Sequence, residues 1–111
     1  MNIGIYGLGE AGSLISADLV AEGINVIAYD PADVPTPTGV KRVRSPEEVV
    51  CNAHLLLAIT AGQDAIFTMQ QAINAIPQQL VYADLSANDV KTKKTLAQMA
   101  ANKGDFSLTL Q

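Results

Sequence analysis

The sequence predicts an α/β fold, a doubly wound parallel sheet forming a single domain over residues 1–111. Three observations predict it. Short apolar runs alternate with segments whose apolar residues recur at helical spacing, the pattern of strands joined by crossover helices. A glycine-rich turn stands between the first apolar run and the first helical segment. The length suffices for one core and is too short for two. Apolar residues make up 49% and charged residues 16%, a globular rather than a disordered composition.

The chain is organised around its opening. Ile3, Ile5 and Tyr6 read as a short buried strand, followed by Gly7-Leu8-Gly9-Glu10-Ala11-Gly12. The spacing is G-x-G-x-x-G, and each glycine has its own task. Gly7 allows the sharp turn, Gly9 leaves room for a pyrophosphate, and Gly12 lets the helix approach the sheet. Free N–H groups and a positive dipole end await an anion at such a helix start. Ala11, Leu14, Ile15 and Leu19 are expected on the inward face, with a helix end near Glu22 and Gly23 as its left-handed stop. Residues 24–29 (I-N-V-I-A-Y) read as the second strand, closed by Asp30, 18 residues beyond Gly12. An acid roughly 20 residues beyond such glycines accepts hydrogen bonds from the adenosine ribose hydroxyls. The fold expected is therefore Rossmann-type, with NAD or NADP as cofactor. A carboxylate at Asp30 repels a 2′-phosphate and favours NAD.

Residues 31–39 hold three of the five prolines and read as a loop, and residues 40–44 as a brief extended piece. Ser45, Pro46 and Glu48 form a capping box with proline at the first helical position. That helix is short, because residues 55–59 (L-L-L-A-I) follow as a strand apolar on both faces. Thr60-Ala61-Gly62 turns off its end. Ala65, Met69, Ala72, Ile73 and Ile76 mark a helical face ended by Pro77. Residues 80–83 form the fourth strand and 84–88 its turn. The last helix starts behind Asn88, with Leu96, Met99 and Ala100 inward and Gly104 as its stop. Phe106, Leu108 and Leu110 alternate with Ser107 and Thr109 as the fifth strand. Strands joined this way require right-handed crossovers and a sheet covered on both sides.

The formal charge of −4 argues against nonspecific nucleic-acid or anionic-membrane partners. No apolar run reaches spanning length and no signal-peptide pattern opens the chain. A single cysteine, Cys51, fits a reducing, cytoplasmic setting. Cys51 is expected in the core, since no His or Cys spacing around it suits a metal. His54 opens an apolar strand without an acid or base partner and reads as structural. Lys41, Arg42 and Arg44 read as a solvated face. Phe67 and Met69 read as core or interface. Asp84 and Asp89 read as caps. Thr60 and Ser86 fit loop caps as well as ligand contacts.

These residues resemble the N-terminal cofactor domain of the 6-phosphogluconate dehydrogenase and β-hydroxyacid dehydrogenase superfamily, which includes 3-hydroxyisobutyrate dehydrogenase. That family opens G-L-G-x-M-G and continues roughly x-x-M-A-x-N-L. Here the glycines, Leu8, Ser16 and Leu19 fit, while Ala11, Ile15 and Asp18 depart from Met, Met and Asn. Ser45-Pro46-Glu47-Glu48-Val49 matches the family's S-P-x-E-V. Asp84-Leu85-Ser86-Ala87 resembles its D-x-S-T, losing the second hydroxyl. The resemblance implies cofactor contacts at Gly7, Leu8, Gly9, Glu10, Ala11, Gly12, Asp30, Pro31, Thr60 and Ala61. It implies that Ser86 and Ala87 face the nicotinamide or the carboxylate of a small hydroxy acid.

In the family a helical C-terminal domain carries the catalytic lysine and the dimer contacts. None of Lys41, Lys91, Lys93, Lys94 and Lys103 stands in that lysine motif. The resemblance thus implies a cofactor domain without its catalytic half, with no catalytic residue of its own, inactive alone and prone to homo-oligomer contacts through an uncovered apolar patch. Two other readings stand beside it. One is a stand-alone nucleotide-sensing or regulatory module. The other is an S-adenosylmethionine-dependent transferase, against which the position of Gly12 argues.

Overall fold

The computed structural model describes residues 1–60 and 62–111. Its elements follow the expected alternation. They are β1 (Asn2–Tyr6), α1 (Glu10–Ala21), β2 (Asn25–Tyr29), β3 (Lys41–Arg42), α2 (Pro46–Val50), β4 (Leu55–Ala58), α3 (Gln63–Ala72) with a 3₁₀ turn (Ile73–Ala75), β5 (Val81–Asp84), α4 (Val90–Lys103) and β6 (Ser107–Leu110). The brief extended piece after the proline-rich loop is a true strand, so the sheet has six strands rather than five. All neighbours pair in parallel, in the order β3-β2-β1-β4-β5-β6. β1 is interior, and strand order reverses between β1 and β4.

That order decides which faces are covered. Right-handed crossovers place the helix of a leftward step (β1 to β2) on one face and those of rightward steps on the other. Among the described residues α1 is therefore the one helix on the first face, packing Ile15 and Leu19 over Ile3, Ile5, Val26 and Ala28, with Val34 and Val40 of the proline-rich loop beside them. The β2-to-β3 connection is the proline-rich loop and adds no helix there. Helices α2, α3 and α4 cover the second face, where Val49, Met69 and Leu96 meet Tyr6, Leu56 and Tyr82. Helices thus flank both faces, as expected, although over β5 and β6 the first face stays open, with Val81, Ser107 and Thr109 exposed.

The expected boundaries recur with their local causes. The Ser45 hydroxyl accepts the Glu48 N–H, and proline occupies the first turn of α2. Asp89 caps α4 by accepting the Thr92 N–H at 2.8 Å, a bond that holds its carboxyl below the usual range. Gly23 and Gly104 end their helices at positive φ.

The expected inward face of α1 is corrected at its start, while Ile15 and Leu19 face the core as expected. Gly12 and Ser16, not Ala11 and Leu14, are the buried residues of α1, and Leu14 is 63% exposed. The cause lies at Gly12, where a Cβ would stand 1.9 Å from the Gly7 carbonyl oxygen. This contact fixes the helix's rotation, and two residues further on lies its opposite side. On α3 the expected face holds, with Ala65, Met69 and Ala72 inward, while Phe67 points away from it and is 58% exposed. Cys51, expected in the core, is exposed just past α2. The helix ends one residue earlier, and its inward positions are taken by Val49 and Val50.

Candidate dinucleotide site

The site is built where β1 and β4 part. Gly7 has φ +101°, and its backbone runs so close to β4 that a Cβ would meet the Ile59 carbonyl oxygen at 2.4 Å. Gly7 and Gly12 are thus required by the fold itself. Gly9 is different, because a Cβ there would touch nothing within 4 Å. The fold itself does not require glycine at this position, and the space over the backbone here is open.

Gly9 is the N-cap of α1 and brings no side chain to its amides. The first helical bond runs from the Ser13 N–H to the Gly9 carbonyl at 2.9 Å. The N–H groups of Glu10, Ala11 and Gly12 therefore precede the hydrogen-bonded ladder and face outward with the positive end of the dipole. Such a cradle fits a pyrophosphate. Glu10 and Ala11 are exposed, while Leu8 is buried and anchors the turn.

Asp30 stands at the end of β2, beside the turn. Its Oδ2 accepts the Leu8 N–H at 2.7 Å and its Oδ1 accepts the Ala32 N–H at 2.8 Å. Both carboxylate oxygens keep a free lone pair. The loop after it is held by Arg42, which sequence reasoning placed on a solvated face. Its guanidinium donates to the carbonyls of Asp30 (3.0 Å), Ala32 (2.5 Å) and Val34, and to the Thr36 hydroxyl at 3.2 Å. Lys41 and Arg44 are exposed.

A cleft of about 280 Å³ opens between the glycine turn, the Asp30–Ala32 segment and α3. Gly9, Asp30, Pro31, Thr60 and the exposed ring of Phe67 line it. Phe67 was missed as a site residue, although its signal was present: an aromatic opposite the apolar stripe of its helix. The Thr60 Oγ1 is buried with no hydrogen-bond partner among the described residues. Ala61, its expected neighbour in the site, lies outside the described residues. A larger open groove of about 500 Å³ near Asn2, Gly23 and Asn25 sits at the other end of the strands, away from the carboxyl ends where such folds bind ligands.

Beyond β5 the chain turns through Ser86 and Ala87. Ser86 is buried; its N–H donates to Asp84 Oδ1 at 2.8 Å and its hydroxyl to the Ala58 carbonyl at 3.4 Å. Ala87 is exposed. Asp84 is buried, which raises its pKa, while the Ser86 N–H pulls it the other way. Asn88 also belongs to this turn and was not expected in the site. Burial pushes the Tyr6 and Tyr82 phenols far up, so both stay neutral. Tyr6 donates to the Pro46 carbonyl at 2.6 Å and serves the core. His54 is structural, accepting the Asn2 N–H at 3.0 Å on Nδ1.

Fold and site together define a dinucleotide-binding domain of the Rossmann type. The sequence profile of the NAD binding domain of 6-phosphogluconate dehydrogenase matches residues 2–109, and the chain belongs to that family. Among solved structures, 3-hydroxyisobutyrate dehydrogenase from Mycobacterium tuberculosis, determined with L-serine, superposes with a TM-score of 0.82 at 25% identity. The match covers 96% of this chain and 38% of that one. D-lactate dehydrogenase from Aquifex aeolicus, complexed with NAD and lactic acid, shares the fold with a TM-score of 0.74 at 19% identity, over 100% of this chain and 34% of that one. The cytokine-like nuclear factor N-PAC of Pongo abelii is 29% identical over 110 residues, 92% of this chain and 20% of that protein. The chain thus spans well under half the length of each of these relatives. Among the described residues no helix is long and apolar enough to cross a membrane.

Proposed function

We propose that residues 1–111 are the cofactor domain of an NAD-preferring dehydrogenase that oxidises a small hydroxy acid. One observation carries the reading. At the point of strand reversal, an uncapped helix start is kept open by Gly9, a glycine that the fold itself does not need. The amides of Glu10, Ala11 and Gly12 hold the pyrophosphate, with Gly7 and Leu8 shaping the turn beneath. Asp30, oriented by two backbone N–H groups, accepts from the adenosine ribose, and Pro31 and Phe67 flank the adenosine.

NAD is favoured over NADP for two reasons. The Asp30 carboxylate repels a 2′-phosphate, and the Arg42 guanidinium is already engaged by loop carbonyls. Thr60 lies under the middle of the dinucleotide, and Ser86 and Ala87 at the nicotinamide and substrate end. The Ser86 hydroxyl must turn from the Ala58 carbonyl to reach a ligand, and that 3.4 Å bond is weak enough to give up.

The nicotinamide, when bound, supplies the hydride exchange, while the protein orients it. Turnover needs a proton-transferring lysine from outside these residues, so the 111-residue chain binds cofactor without catalysing. The open sheet face over β5 and β6 supports contact with another domain or subunit. The acidic balance and composition support a cytoplasmic protein with neither nucleic-acid nor membrane partners.

Calorimetric titration tests the reading. NAD should bind in the micromolar range, NADP more weakly and S-adenosylmethionine not at all. Binding of S-adenosylmethionine in preference to NAD would overturn it.

A further inference from the structure

The loops after β4 and β5 are joined by one side chain. Asn88 Oδ1 accepts the Gly62 N–H at 2.8 Å, while its Nδ2 faces both carboxylate oxygens of Asp84 at 3.4 and 3.5 Å. The two contacts fix the amide's orientation. A carboxylate only accepts and a backbone N–H only donates, so the nitrogen must face Asp84 and the oxygen Gly62. Asp84 is itself held in place by the Ser86 N–H at 2.8 Å. A rigid chain thus runs from the end of β5 to the N-cap of α3.

Gly62 needs such a tether. It is exposed, has φ +60° and ψ −131°, and caps α3 without a side chain of its own. A doubly wound sheet binds the adenosine half of a dinucleotide over its first strands and the nicotinamide half beyond the switch point. Here that second half lies over the carboxyl ends of β4 and β5, where the two tethered loops stand.

We propose that Asn88 is a positioning residue: a latch that sets Gly62, the N-cap of α3, against the loop after β5 and so shapes the nicotinamide half of the site. The proposal rests on the dinucleotide reading above. It assigns Asn88 no contact with the reacting atoms. It also accounts for a buried carboxylate at Asp84 that has no cation at hydrogen-bond distance among the described residues: its acceptor oxygens hold the amide the right way round.

The test compares NAD with AMP, which carries only the adenosine half. In the 111-residue chain, Asn88→Ala should weaken NAD about five-fold, the size of one lost hydrogen bond, and leave AMP within about two-fold. Should the alanine variant not fold, Asn88→Thr removes the two-ended amide while keeping a polar side chain. A fall in NAD and AMP affinity by the same factor would overturn the latch, since a general loss of structure acts on both halves. Unchanged NAD binding would overturn it equally. Failure of the unmodified chain to bind NAD would remove the dinucleotide reading itself, an outcome distinct from both.

Discussion

The Asp30 carboxylate accepts the backbone N–H of Leu8 at 2.7 Å, tying the end of β2 to the glycine turn that leaves β1. The second oxygen accepts the Ala32 N–H, so one side chain orders two walls of the cleft. Leu8 is buried, and removing the carboxylate leaves its N–H without this acceptor.

Asp30→Ala should therefore act twice. Stability should fall by about 1–3 kcal/mol, the usual loss when a buried donor is orphaned. NAD affinity should drop about ten-fold, as for a charge-assisted hydrogen bond, and NADP affinity should drop less. Thermal melting and calorimetry with both cofactors check this. An unchanged NAD to NADP ratio would show that Asp30 serves the turn and not the ribose.

The glycines should separate folding from binding. Gly12→Ala forces a methyl into the Gly7 carbonyl and should disrupt the opening unit, visible as a large loss of melting temperature. Gly9→Ala meets no protein atom and should fold normally by circular dichroism, yet lose most NAD affinity. Normal NAD binding by Gly9→Ala would remove the site from this turn.

Much of this was legible in the sequence because glycine and proline punctuation has few physical explanations. The strand–turn–helix at residues 2–21, the N-cap at Ser45 and the stops at Gly23 and Gly104 all follow from local chemistry. Helix rotation was not legible. Apolar spacing placed Leu14 inward, whereas the contact of Gly12 with Gly7 turns it out, and no local pattern reveals a tertiary contact. The same blindness hid Arg42 and Asn88. Each gains its role by reaching across to a separate loop, over separations that only strand order brings together.

Ser16 should be improvable. Its hydroxyl is fully buried under α1 and has no hydrogen-bond partner among the described residues. Ser16→Ala removes an unpaired polar group and adds helix propensity, so stability should rise by about 1 kcal/mol. A rise of about 4 °C in melting temperature would accord with that figure, and a fall would reveal a partner for the hydroxyl.

Asp84 predicts a pH dependence. Burial raises its pKa in the folded protein, so the folded state holds this proton more tightly than the unfolded chain. Stability from this group is greatest below the unfolded value of about 4, declines as pH rises toward the raised folded value, and is level above it. Asp84→Asn carries no titrating proton here. Denaturant unfolding across pH should show the wild type losing ground to this variant over that window and not beyond. A constant difference from acid to neutral pH would contradict the assignment.

The most direct measurement is amide chemical-shift mapping of the 111-residue chain during titration with NAD. The account predicts the largest shifts at the Gly9, Glu10, Ala11 and Gly12 amides, followed by Asp30 and Gly62. Shifts confined to Asn2, Gly23 and Asn25, with the helix start unmoved, would contradict it.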